Sequence, residues 1–166
     1  MKRLTHYLGK VVSKIKNLKL NMDKPNKISL FAVSFSQGFV SPDIPIATFY
    51  QGDKELHFIL DSGSNDNVIS HTFLKQLDYN MKESNPESDV LAGVGGVKPV
   101  KVCTLSFSTE ETKYTADFLV SDSLDEAFQG IRKGHCITIH GMLGSKFLRQ
   151  HNVVIDYTTL SAYSKA

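Results

Sequence analysis

The chain has 166 residues, which suits one domain or one domain plus an arm. Hydrophobic residues make up 41%, enough for a sizeable core and too many for a disordered chain. The net charge of +2 gives no electrostatic reason to expect nucleic acid as a partner, and no apolar run approaches the roughly 20 residues of a membrane span.

The first twenty residues, MKRLTHYLGKVVSKIKNLKL, begin like a signal peptide, but Lys10, Lys14, Lys16 and Lys19 interrupt every apolar run. Leu4, Leu8, Val11, Val12, Ile15 and Leu18 recur at helical spacing with lysines mostly opposite. Such a helix can lie on a membrane surface. Gly9 interrupts it and Tyr7 is its only aromatic anchor, so an arm packed on its own domain, or a frayed terminus, is the preferred reading. Met22 to Lys27 is polar, contains a proline and reads as a linker. Residues 1–27 are therefore expected to be a basic arm and linker, and 28–166 the domain.

From Ile28 the chain reads ISLFAVSF, a strand, with breaks at Gln37-Gly38 and Ser41-Pro42-Asp43. IPIATFY (44–50) and ELHFIL (55–60) predict a β-hairpin around Gly52 that runs straight into Asp61. VIS (68–70) precedes a short helix carrying Phe73, Leu74 and Leu77, and residues 79–89 read as a polar loop. VLAGVGGVKPV is glycine-rich. KVCTLSFS (101–108) and KYTADFLVS (113–121) predict a second strand pair turned at Glu110-Glu111. LDEAFQGI (124–131) predicts a helix. ITIHGMLGSKFLRQHNVVIDY predicts a strand, a glycine turn, a short helix and a last strand. Cys103 and Cys136 sit in no C-x-x-C pair and read as buried thiols. The chain has no N-x-S/T sequon, which fits an intracellular, cytoplasmic protein, peripheral to a membrane only if residues 1–21 bind one.

The chemistry concentrates at FILDSGSNDNVIS (58–70). A carboxylate placed directly after an apolar strand is costly unless it is hydrogen-bonded or used. Gly63 lets the backbone turn and brings amide N–H groups near Asp61, while Ser62 and Ser64 bring hydroxyls. The alternative is an Asx turn that merely ends a strand. Two competing sites are weaker. Gly93-x-Gly95 lacks the third glycine of a phosphate loop, because Lys98 stands there and Val100 to Phe107 alternates like a strand. His135, Cys136 and His140 lack a second paired ligand set and read as strand and turn residues, so no metal or other cofactor is expected.

Hairpin, Asp61-Ser62-Gly63-Ser64, x-x-Asn, Val-Ile-Ser, a glycine-rich segment and then Met142-Leu143-Gly144-Ser145-Lys146-Phe147-Leu148 follow an order that resembles the retropepsin-like aspartic proteases, over about residues 28 to 160. The resemblance implies a mostly β, single-domain acid-protease β-barrel with short helices. It implies Asp61 as the catalytic group, Ser62, Gly63 and Ser64 as the active-site loop with the Ser64 hydroxyl bonding the carboxylate, and Gly93, Val94, Gly95 and Gly96 as the tip of a mobile flap. It also implies a polypeptide substrate. Carboxylate-driven peptide hydrolysis needs two carboxyl groups around one water, sharing one proton. This chain has one D-S-G; Asp122-Ser123 lacks the glycine, and Asp156 runs into Tyr-Thr-Thr. A homodimer with a twofold axis between two copies of Asp61 is therefore expected. The competing expectations are a catalytically silent peptide-binding or dimerisation module of the same fold, and a membrane-surface regulator acting through its basic arm.

Overall fold

The computed structural model describes residues 26–34, 43–83, 85, 89–93 and 96–164. The basic arm, the breaks at Gln37-Gly38 and Ser41-Pro42, and the Val94-Gly95 tip lie outside them.

Strand β1 (Asn26–Ser34) starts inside the stretch read as linker and runs antiparallel to β2 (Asp43–Gln51). β2 turns through Gly52 and Asp53 into β3 (Lys54–Asp61), as the hairpin pattern requires. Along β3 the side chains of Leu56, Phe58 and Leu60 are buried, while those between them face the other side, the period-two signature of a strand with one core face. β4 (Val68–Ser70) and the short helix α1 (His71–Leu74) follow, with Leu74 and Leu77 buried. β5 (Tyr79–Met81) lies where a loop is expected. Its three side chains are exposed and, among the described residues, it pairs on one side only, with β8 (Lys101–Ser108), so an edge strand formed without an apolar pattern to announce it.

β6 (Val90–Gly93) and β7 (Gly96–Pro99) make a separate two-stranded hairpin with Gly93 opposite Gly96. β8 returns along β9 (Lys113–Ser121) as expected. Helix α2 (Asp125–His135) is longer than the 124–131 expectation and includes His135; it ends at Cys136 in the left-handed region. Cys136 is exposed there, contrary to the buried-thiol reading, whereas Cys103 is buried. The segment 137–140 is not a ladder strand. The strand is β10 (Gly141–Gly144), containing the glycines taken for a turn. They mark close backbone approach instead: a Cβ on Gly141 would meet the Val68 carbonyl oxygen at 2.3 Å. α3 (Ser145–Gln150), β11 (Val153–Asp156) and the unanticipated β12 (Ser161–Ser164) complete the chain, β12 lying between β11 and β1.

The ten strands run in the order β11-β12-β1-β2-β3-β10-β4-β9-β8-β5, and a further pairing of β2 with β8 at Tyr50 and Ser108 closes the central six into a barrel. The mostly β barrel with short helices is thus present. Its interior is aromatic: Phe49 meets Phe107 and Tyr114 edge-on at centroid distances of 5.0 and 5.6 Å, and Phe58 stacks on Phe118 at 5.5 Å. A second apolar layer joins Phe128 and Ile131 of α2 to Ile46, Ile59, Ile139 and Met142, so α2 covers the outer face of β2, β3 and β10. Among the described residues no helix is long and apolar enough to cross a membrane.

Candidate active site

Asp61 is the last residue of β3, and its neighbour across the sheet fixes where the chain goes next. β10 is wedged between β3, to which it is parallel, and β4, to which it is antiparallel, with Gly144 opposite Asp61. The loop 62–67 must therefore pass over the tip of β10 at very short range. A Cβ on Gly144 would lie 2.5 Å from the Asp66 carbonyl oxygen and 2.9 Å from that of Ser64. No residue but glycine fits there without moving backbone.

Three consecutive amides then tie the loop down. Gly144 N–H donates to Asn67 Oδ1 at 2.9 Å, Ser145 N–H to the Ser64 carbonyl at 2.8 Å, and Lys146 N–H to the Asn65 carbonyl at 3.1 Å. Ser145 and Lys146 open α3, so amides that an isolated helix would leave unpaired are used to hold the Asp61 loop. Asn67 is buried and is the pivot. Its Nδ2 donates to the Asp117 carbonyl at 2.9 Å, and its own carbonyl accepts from Leu119 N–H at 2.9 Å, joining the loop to β9. In the sequence the only signal of this role is an amide side chain placed just before the apolar run Val68-Ile69.

Within this frame Asp61 is half-buried and its Oδ1 accepts from Gly63 N–H at 2.8 Å. Ser62 and Gly63 are exposed beside it. The Ser64 hydroxyl corrects an expectation: it donates to the Asp66 carbonyl at 2.9 Å, two residues along, and closes the loop on itself rather than bonding the carboxylate. Asp156, the other strand-end aspartate, is spent on its turn, accepting from Thr158 N–H and Thr159 N–H on Oδ1 and from the Thr159 hydroxyl on Oδ2. Those bonds hold its carboxyl below the usual range.

Concavities flank the loop on both sides. One, of about 430 Å³, is lined by Asp66 and Asn67 together with Asp89 and Val90 at the base of the β6–β7 hairpin and Lys82 and Asp117 across it. Burial pushes the Asp117 carboxyl up, but hydrogen bonds from Lys82 Nζ at 2.6 Å and Thr104 Oγ1 at 2.7 Å, with the charges of Lys82 and Lys146, bring it below the usual range. The other, of about 550 Å³, runs from Ser62 and Ser145 to Val153, Ile155 and Tyr157 along β11. Gly93 and Gly96 close the ladder of the hairpin on either side of the undescribed tip residues Val94 and Gly95.

No family model and no curated protein matches the chain. Solved structures do. EIAV protease complexed with the inhibitor HBY-793 aligns at 16% identity over 70% of this chain and 93% of that one, with a TM-score of 0.46. A retropepsin-like aspartic protease from Rickettsia conorii aligns at 11% identity over 86% of this chain and 95% of that one, with a TM-score of 0.44. The chain is similar to retropepsin-like aspartic proteases. The chemistry open to Asp61 rests on its own surroundings.

Proposed function

We propose that the chain is an aspartic endopeptidase that works as a homodimer, with one water held between the Asp61 carboxyl groups of two copies. The observation that carries the reading is the state of Asp61. It is a single carboxylate at the end of an apolar strand, half-exposed, with one oxygen fixed by Gly63 N–H in a loop pinned by three further amides. A carboxylate held so rigidly yet left open to solvent suits proton transfer rather than packing.

In the proposed reaction the two Asp61 groups share one proton, because both cannot ionise cheaply at close range. The ionised one takes a proton from water as the water oxygen attacks the scissile carbonyl carbon. The protonated one gives its proton to the carbonyl oxygen. The resulting tetrahedral intermediate collapses as the C–N bond breaks and a proton passes to the leaving amine. Gly63 holds the carboxylate, and Ser62 and Ser64 complete the loop. The substrate is a polypeptide in extended form, covered by the β6–β7 hairpin, whose ladder closes at Gly93 and Gly96. This chemistry requires no metal or organic cofactor.

Two features favour self-association beside Ser62. Among the described residues β11 is the terminal strand of the sheet order, pairing with β12 on one side. The groove along it joins Ser62 to the exposed Tyr157. A second copy seated there isologously would bring its own loop toward Asp61. The test is cleavage of a casein-like substrate by wild type and by Asp61→Asn, with binding of a pepstatin-type inhibitor measured in parallel. Cleavage should vanish in the variant while its circular dichroism stays unchanged. Cleavage that survives Asp61→Asn refutes the assignment. A wild-type dimer that neither cleaves nor binds the inhibitor leaves the silent dimerisation module as the better description.

A further inference from the structure

Two histidines outside the carboxylate chemistry share one end of the β10 wedge. His140 directly precedes β10, and His57 lies on β3 just before Phe58, which faces Gly141. Their backbones and rings interlock. His140 N–H donates to the His57 carbonyl at 2.9 Å, and His57 N–H donates to His140 Nδ1 at 3.0 Å. The His140 ring thus supplies the acceptor that a backbone carbonyl supplies elsewhere in a ladder. On the other side the His140 carbonyl accepts from Ser70 N–H at 3.0 Å, so this one residue bridges β3 and β4. The His57 ring fastens the same segment again, with Nδ1 3.1 Å from the Thr138 carbonyl and Nε2 2.6 Å from Glu55 Oε1.

From α1, the Phe73 ring packs on His140 at a centroid distance of 5.2 Å. The titratable groups acting on His140 are His57 and Glu55, both on β3. Burial first, then the charge of His57, push His140 down to about 4 from the ordinary histidine value, against the opposing pull of the His57 backbone and Glu55. The ring is neutral in the folded arrangement, and Nδ1 has a lone pair to offer. Protonation would set a ring N–H against the His57 N–H and break that bond.

We propose that His140 is a positioning residue for the Asp61 site: its neutral ring locks the foot of β10 to β3, and protonation of that ring loosens the strand whose far end, Gly144, holds the Asp61 loop. The link to catalysis rests on the function proposed above; the lock itself does not. The sign follows from linkage. A histidine depressed by folding binds its proton more readily once the lock opens, so closure is favoured fully above the ordinary value and is progressively lost as pH falls toward about 4.

The test is amide hydrogen exchange on the full chain, corrected for intrinsic rates, in wild type, His140→Asn and His140→Ala. Asparagine places a non-titrating Oδ1 near the position of Nδ1. In wild type the protection of His57 N–H should fall about tenfold per pH unit between about pH 6.5 and about pH 4, then level off, and the protection of Gly144 N–H should fall with it. His140→Asn should hold both flat across that window, and His140→Ala should show weak protection of the His57 amide throughout. Flat protection in wild type, or an equal fall in His140→Asn, overturns the lock. A fall at His57 with Gly144 unmoved overturns the positioning role. Where peptidase activity is present, the acid limb of kcat should extend to lower pH in His140→Asn; an unmoved limb also overturns the positioning role. A chain that cleaves nothing refutes the proposed function and leaves the exchange experiment able to decide the lock.

Discussion

Asn67→Ala is the most direct perturbation of the frame around Asp61. The side chain is 5% exposed and makes two hydrogen bonds to backbone, accepting from Gly144 N–H and donating to the Asp117 carbonyl, each at 2.9 Å. Truncation leaves a buried donor on β10 and an acceptor on β9 unpaired. An unpaired buried group costs about 1–3 kcal/mol, so the pair should cost about 3 kcal/mol after partial relief by an entering water. That is a large share of the roughly 5–15 kcal/mol that holds a domain together. At about 3 °C per kcal/mol for a domain of this size, thermal unfolding followed by circular dichroism should come down by about 10 °C. The loss is also local. Amide exchange at Gly144, Ser145 and Lys146 should accelerate more than exchange in β8 and β9, because those three amides hold the 64–67 loop. If the proposed peptidase activity is present, kcat should fall further than KM rises, since Asn67 holds the carboxylate's loop in its fixed geometry. A drop below about 2 °C, with Gly144 exchange unchanged, would mean that water replaces both bonds and that Asn67 does not hold the loop.

Two other expectations are simpler to check. Ser64→Ala should leave the acid limb of the kcat/KM profile where it is, because the Ser64 hydroxyl donates to the Asp66 carbonyl and not to Asp61; a limb that moves to higher pH would show that the hydroxyl turns to the carboxylate in the active species. Under native conditions Cys136 should be alkylated by iodoacetamide while Cys103 is spared, since Cys136 is exposed and burial pushes the Cys103 thiol up to about 11; mass spectrometry that finds equal labelling refutes this.

How much of the site was legible in the sequence depends on which physical signal each part left. β3, β8 and β9 bury alternate side chains, so alternation exposed them; β2 is buried on both faces and showed instead as a short continuous apolar run, and Asp61 stood out because a charge followed an apolar strand directly. β5 and β12 left little trace. β5 is an exposed edge strand, and β12 is four residues long with its pairing partners β1 and β11 supplying the context. The glycines of β10 misled for a physical reason. Glycine marks both turns and close backbone approach, and only the three-dimensional neighbour, Val68 for Gly141 and the 64–66 loop for Gly144, tells the two apart.

Ser64 and Asn67 show where local reasoning about the carboxylate runs out. Both carry a polar side chain within six residues of Asp61, and proximity alone favours the nearer one as its partner. Hydrogen bonding follows geometry instead. Once Gly144 occupies the space beneath the loop, Ser64 Oγ meets the Asp66 carbonyl, while Asn67 is buried between β10 and β9 with both of its functions used. His57 and His140 follow the same logic from 83 residues apart. Neither belongs to a motif, and their pairing exists only because β10 inserts between β3 and β4. The chemistry proposed for Asp61 is written in four consecutive residues. Its rigidity is supplied by a strand from the far end of the chain, so a substitution at the foot of that strand is expected to reach the carboxylate without touching it.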